Sequence, residues 1–131
     1  MYCDQKCPNT KFIITKLERI QNKYFYERYI DKLQIIKDKY KDKKKIRKKI
    51  NGYERKNLFH STGETDPKYI LDTEGLDVRY SKEGFFGEGI YLAENSDYCH
   101  FDNGGKYRCE VENNKYKLIM ARIISGFYHR V

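Results

Sequence analysis

His60 and Tyr91 are the side chains of this chain best suited to hold a ligand, and they stand 31 positions apart. His60 opens an isolated His60-Ser61-Thr62, three consecutive side chains able to donate or accept hydrogen bonds. Tyr91 lies in Gly84-Phe85-Phe86-Gly87-Glu88-Gly89-Ile90-Tyr91-Leu92-Ala93, with glycines crowded on one side of it, and Tyr98 follows. A neutral imidazole can serve a sugar hydroxyl as donor or acceptor. Gly87 and Gly89 let backbone come close to a ligand, and an aromatic ring supplies a flat wall. A flat heteroaromatic ligand carrying a sugar and phosphates suits this set. Each group also has a plainer use. A histidine after Leu58-Phe59 is commonly a half-buried structural residue, Tyr91 between Ile90 and Leu92 is commonly core, and Gly87 and Gly89 commonly form a hairpin turn.

The elements that must position these residues follow from periodicity. Ile13, Leu17, Ile20 and Tyr24 share one helical face, and Tyr29, Leu33, Ile36 and Tyr40 share another. The two stripes lie about half a turn apart at roughly 100° per residue. Two helices, or a kink near Gln21-Asn22, are therefore expected, with Thr10 capping the first. Asn51-Gly52 predicts a turn and Asn57-Leu58-Phe59-His60 a strand. A helical turn is predicted over Pro67 to Leu71, capped by Asp66 and ended by Thr73-Glu74-Gly75. The Gly84 to Gly89 loop leads into a predicted strand Ile90-Tyr91-Leu92-Ala93. A turn or short helix beginning at Glu94-Asn95-Ser96-Asp97 carries Tyr98, Asn103-Gly104-Gly105 is a loop, and 117–124 is β-rich up to Ser125-Gly126. The class is α+β, helices first and short strands after.

Length and composition bound the rest. The 131 residues fit one domain, 1–131, with enough chain for a real core. An aromatic content of 15% argues against disorder. The net charge of +8 is uneven: residues 1–57 hold 18 Lys/Arg against 7 Asp/Glu, and residues 58–131 hold 9 against 12. The half with the Gly/Tyr motif is mildly acidic and unlike a nucleic-acid surface. The run from Lys37 to Lys49 contains nine Lys/Arg and two Asp. It is either a solvated helix end or a patch for RNA, DNA or another acidic partner. Four cysteines, Cys3, Cys7, Cys99 and Cys109, with no secretory signal, lead to the expectation of a soluble, intracellular protein with free thiols. Cys3-x-x-x-Cys7 has half a zinc-ligand spacing and no Cys/His pair to complete it, so no metal is expected. No apolar run is long enough to cross a bilayer, so no membrane association is expected.

Taken in order, these motifs resemble the catalytic domain of the poly(ADP-ribose) polymerase family, the diphtheria-toxin-like ADP-ribosyltransferases. Lys16-Leu17-Glu18-Arg19-Ile20-Gln21-Asn22 with Tyr26-x-x-Tyr29 and Lys32 resembles the opening helix of those domains. Asn57-Leu58-Phe59-His60-Ser61-Thr62 is similar to the family's Leu-Phe-His-Gly-Thr. Gly75-Leu76-Asp77-x-Arg79, the Phe86 to Ala93 segment, Tyr98-Cys99 and the stretch Ile119 to Gly126 continue the match, which covers about 12–128. The short gap between Tyr91 and Tyr98 resembles the mono-ADP-ribosylating branch.

The resemblance implies a split mixed or antiparallel sheet behind an N-terminal helical segment, with NAD as co-substrate and no metal. It implies that His60 binds a ribose hydroxyl of NAD and that Tyr91 packs against the nicotinamide ring, the two forming the catalytic pair. Tyr98 is the candidate for the other face of the ring, Ser96 for the carboxamide, with Cys99 standing where some members carry serine. Ser61 and Thr62 follow the motif histidine, and the loop from Asp77 to Glu88, with Arg79 as a contact, is implied to cover the diphosphate and adenosine. Two departures stand out. Ser61 replaces a family glycine whose backbone N–H and C=O pair with the carboxamide, and weaker NAD binding is expected there. No residue matches the family's third motif position, so the domain's C-terminal strands are expected to be missing from these 131 residues. The implied activity is transfer of one ADP-ribose unit to a protein or nucleic-acid acceptor. The alternatives are an inactive pseudoenzyme that keeps part of the NAD pocket, and a basic nucleic-acid-binding module carried by Lys37 to Lys49.

Overall fold

The structure, a computed structural model, describes residues 13–41, 53–101 and 106–125. The expected turn at Asn51-Gly52, the loop at Asn103-Gly104-Gly105, Thr10, Cys3, Cys7 and most of the basic run lie outside the described residues. Two compact groups of residues are distinguished, one of 18–57 with 122–131 and the other of 1–17 with 58–121. Their secondary structure is α+β: helices and three two-stranded ladders.

In the first group, helix α1 runs Lys23–Tyr40. Asn22 starts it from an extended conformation, and its side chain accepts a hydrogen bond from the Phe25 N–H at 3.2 Å. That satisfies one of the backbone donors a helix start leaves unpaired. The second apolar stripe behaves as its spacing predicts: Leu33 is only 5% exposed, and Tyr29, Ile36 and Tyr40 are half-buried. The first stripe does not. Residues 13–22 are not helical, and Ile13, Ile14 and Leu17 stand exposed, so the expected first helix is corrected to a non-helical lead-in. A helix this short gains most of its stability from burying its apolar face, and this stripe buries none. The expected break at Gln21-Asn22 is instead the place where α1 begins. Tyr29 donates to Glu54 Oε1 at 2.6 Å, and Arg122 Nη1 lies 3.7 Å from the same oxygen. Burial first, and the bond to Glu54 second, push the Tyr29 hydroxyl well above its ordinary pKa, while that bond holds the Glu54 carboxyl below its own.

Strand β1, Glu54–His60, pairs with β6, Ile119–Ile124. The expected strand at 57–60 thus begins three residues earlier. Asn57, midway along the strand, has φ 59°, a left-handed conformation that asparagine tolerates better than most residues.

In the second group, helix α2, Pro67–Leu71, forms as predicted. Asp66 accepts from the Lys68 N–H at 2.9 Å, and Pro67, which has no N–H to satisfy, fills the first turn. The helix is capped at Asp72, and Gly75, at φ 84°, closes the following turn through a bond from its N–H to the Ile70 carbonyl. A 3-10 turn, Val78–Tyr80, leads to β2, Glu83–Gly84, and β3, Gly87–Glu88. These pair antiparallel with Gly84 opposite Gly87, leaving Phe85 and Phe86 at the tip. The glycine-rich loop is therefore a tight hairpin. The strand expected over Ile90 to Ala93 is corrected to irregular chain in which Ala93 alone is bridged, to Phe59. Helix α3, Ser96–Phe101, carries Tyr98 as expected. β4, Cys109–Glu112, and β5, Lys115–Lys117, form an antiparallel hairpin through Asn113-Asn114 that periodicity does not reveal. Lys117 reaches both Asp66 oxygens, at 2.7 and 3.0 Å, and ties β5 to the start of α2.

Candidate functional site

The end of β1 places His60. Phe59 and Ala93 exchange both backbone hydrogen bonds, at 2.7 and 2.9 Å, which fixes the chain carrying Tyr91 beside the strand end. The His60 ring then reaches the Tyr91 carbonyl, Nδ1 to oxygen 2.8 Å. A carbonyl only accepts, so Nδ1 carries the proton and, in the neutral ring, Nε2 is an acceptor. The choice between donor and acceptor that the sequence left open is settled by this one contact: a ligand hydroxyl meeting Nε2 donates to it.

Tyr91 is fixed from the other side. Its hydroxyl accepts from the Phe86 N–H and donates to the Gly87 carbonyl, both at 2.8 Å, so the ring is pinned to the β2–β3 hairpin. The residue as a whole is 37% exposed. The glycine packed against that ring is Gly84: a Cβ there would lie 2.5 Å from Tyr91 Cζ. The expected close-approach glycines behave differently. A Cβ at Gly87 or Gly89 would meet nothing within 4 Å, and Gly87 is required instead by its φ of 92°.

Ser61 and α3 are joined through Cys99. The buried Cys99 thiol is pushed up by its burial, an effect opposed by a hydrogen bond from the Ser61 backbone N–H. Ser61 has no left-handed φ, so its backbone conformation is open to any residue, and serine in place of glycine is unstrained. Its Oγ is buried without a hydrogen-bond partner. Tyr98 and Ser96 share α3 with Cys99, Tyr98 exposed and Ser96 half-buried. Behind them, His100 is 6% exposed and meets the Tyr116 ring edge-on at 4.5 Å, with Arg108 5.2 Å from the centre of the same ring. Burial, aided by Arg108, holds His100 below its ordinary pKa, so it packs as a neutral ring.

The remaining expected residues turn elsewhere. The Thr62 hydroxyl donates to the Thr65 carbonyl and shapes the turn before α2. Arg79 is exposed and bound to Asp77 through Nε at 2.7 Å and through Nη2, which also meets Glu74 at 3.1 Å. Its charge is already matched by two carboxylates, and Asp77 in turn is held below the ordinary carboxylate range by Arg79. Among the described residues, no group of three or more His, Cys, Asp or Glu is placed to hold a metal ion, and no helix is long and apolar enough to cross a membrane.

The structure thus brings together His60, Tyr91 and the Gly84 to Gly87 hairpin, and links Ser61 to the helix of Ser96 and Tyr98. Over 124 residues, 90% of its length, the chain is 32% identical to a Dictyostelium discoideum protein described as a probable poly(ADP-ribose) polymerase, and it spans 33% of that protein. No family profile matches the chain. The chain is thus similar to about a third of that protein.

Proposed function

We propose that this chain is part of an NAD-dependent ADP-ribosyltransferase that moves a single ADP-ribose unit to a protein or nucleic-acid acceptor. The observation that carries the proposal is the His60–Tyr91 contact. One hydrogen bond fixes the imidazole tautomer and holds the chain of the wall-forming tyrosine. The similarity to the Dictyostelium protein supplies the chemistry to which such a pair belongs.

In this mechanism a ribose hydroxyl of NAD donates to His60 Nε2, and the nicotinamide ring lies against the ring of Tyr91. Holding the two ends of the scissile bond in one orientation lowers the entropic part of the barrier. The bond between nicotinamide nitrogen and ribose carbon breaks with its electron pair leaving on nicotinamide. The ribose becomes oxocarbenium-like, as in glycoside cleavage. An acceptor nucleophile then supplies the new electron pair to that carbon and gives up its proton. No carboxylate of this chain is assigned to that proton. Tyr98 and Ser96, on α3, complete the ring's surroundings, and Ser61, Gly87 and Gly89 line the approach, with Thr62 shaping the turn that follows Ser61. Arg79 reaches a diphosphate only by leaving Asp77 and Glu74.

A second reading, a pseudoenzyme that binds NAD without turnover, is favoured by Ser61. Its backbone N–H is already engaged by the Cys99 sulfur. Incubation with NAD labelled in its adenylate half separates the two. Label on the chain or on added acceptors, with stoichiometric nicotinamide, supports transfer. NAD binding with neither product supports the pseudoenzyme, and the absence of binding removes both.

A further inference from the structure

We propose that the β2–β3 hairpin is the docking face for a protein segment bearing Lys or Arg, presented there as the acceptor of the transfer. The segment's role as acceptor rests on the transferase reading, whereas its docking does not. Phe85 and Phe86 stand at the hairpin tip, 92% and 73% exposed, with their rings edge-on 5.1 Å apart. Singly exposed apolar side chains are ordinary, but apolar side chains grouped at one point mark a place where another molecule docks. The tip is held beside the candidate site, because the Phe86 N–H and the Gly87 carbonyl both bond the Tyr91 hydroxyl at 2.8 Å.

Charge chooses the partner. In the ladder beneath the tip, Glu83 lies directly opposite Glu88, and both are exposed. Like charges facing each other across a ladder destabilise it, and among the described residues neither carboxylate forms an ion pair. The surroundings share the sign: residues 72–97 hold seven Asp/Glu against two Lys/Arg, in a chain whose net charge is +8. One of those two cations, Arg79, is already matched by Asp77 and Glu74. Carboxylates alone describe a solvated surface. Joined to an aromatic pair they describe a receptor for cations, because a guanidinium or ammonium is attracted to a ring face and to a carboxylate alike.

The same features disfavour other occupants. A nucleic acid or an anionic membrane meets net negative charge here and is repelled. A wholly apolar partner gains from the phenylalanines but leaves two carboxylates desolvated and unpaired, which is costly. A segment with Lys or Arg satisfies both features, seating its aliphatic stems on the rings and its charged ends on Glu83 and Glu88. Of the two acceptor classes open to the transferase, protein and nucleic acid, the hairpin selects protein.

The test is fluorescence anisotropy of the full chain, without NAD, with two labelled peptides of equal length. One alternates Lys and Arg with Ser and Gly, and the other carries Gln at every Lys and Arg. The Lys/Arg peptide should bind at least about tenfold more tightly than the Gln peptide at low salt, and more weakly as salt rises. Glu83→Gln/Glu88→Gln should weaken it by about five- to tenfold, and Phe85→Ser/Phe86→Ser by about three- to tenfold. Neither variant's melting temperature should fall, because all four side chains are exposed. Equal binding of the two peptides, no binding, or unchanged affinity in either variant would overturn the proposal. So would loss of NAD binding in Phe85→Ser/Phe86→Ser with peptide binding intact, which would turn the tip onto the nucleotide. With NAD labelled in its adenylate half, label should appear on the Lys/Arg peptide and not on a single-stranded RNA. Label on the RNA alone would overturn the acceptor role while leaving the transferase standing. Peptide binding with no label anywhere would remove the transferase while leaving the docking face standing.

Discussion

Replacing Gly84 by alanine tests the position of Tyr91 without touching any group assigned to the ligand. The backbone at Gly84 is one that any residue adopts, so the new methyl acts through its bulk alone. It would sit 2.5 Å from Tyr91 Cζ, 2.6 Å from the hydroxyl oxygen and 2.7 Å from Cε2. Carbon atoms in ordinary contact lie about 3.5–4.0 Å apart, so the ring must retreat by about 1 Å or more. The hydroxyl's two bonds, to Phe86 N–H and Gly87 carbonyl, start at 2.8 Å and would pass beyond hydrogen-bonding range. Their loss costs about 0.5–1.5 kcal/mol each where water cannot replace them. At this exposed hairpin water largely can, so the expected loss of stability is only about 1 kcal/mol. The effect on the wall is larger, because the ring assigned to the nicotinamide moves while the Tyr91 carbonyl stays bound to His60 Nδ1. NAD titrated into Gly84→Ala by calorimetry should bind at least about tenfold more weakly, equivalent to about 1.4 kcal/mol, while the melting temperature falls by a few degrees. Wild-type affinity in a folded Gly84→Ala would refute the argument that the hairpin sets the wall.

Three further outcomes are expected. Gly89→Ala, with open space at its Cβ, should leave the melting temperature unchanged, and weaker NAD binding in calorimetry would locate the ligand against that backbone. His100 is held neutral below its ordinary value of 6.5, so the unfolded chain takes up its proton first. Its contribution is therefore full above about pH 6.5 and is lost as pH falls below that value, by up to about 1.4 kcal/mol per pH unit; thermal melts from pH 7.5 to 5.5 should show the decline, and His100→Phe should flatten it. Leu33→Ala, emptying the buried centre of α1, should cost about 2–3 kcal/mol in urea unfolding, against about 1 kcal/mol for the cap variant Asn22→Ala.

Local chemistry made some elements legible in the sequence. Asp66-Pro67 announced α2 because a capping carboxylate followed by a residue without an N–H is a strong start signal. The spacing of Tyr29, Leu33, Ile36 and Tyr40 announced the buried face of α1. The same periodicity misled at Ile13, Leu17 and Ile20, because an apolar stripe yields a helix only where something covers it. The β4–β5 hairpin was hidden because β4 has the burial pattern of an exposed strand, buried only at Cys109. In the site, His60 and Tyr91 were recognisable as residue types, but their direct contact depends on the Phe59–Ala93 bridge. Which glycine meets the tyrosine ring is decided by the hairpin register, which brings Gly84 against it and leaves Gly87 and Gly89 clear of it. The pairing of Arg79 with Asp77 and Glu74 was likewise invisible, although all three lie within six residues.

The most direct measurement is calorimetric titration of NAD into the wild-type chain and into His60→Ala, with melting temperatures recorded for both. The account predicts saturable, one-to-one binding in the wild type, lost in His60→Ala while the variant stays folded. No binding in the wild type, or equal binding in both, would contradict the assignment of His60 Nε2 and Tyr91 to an NAD site.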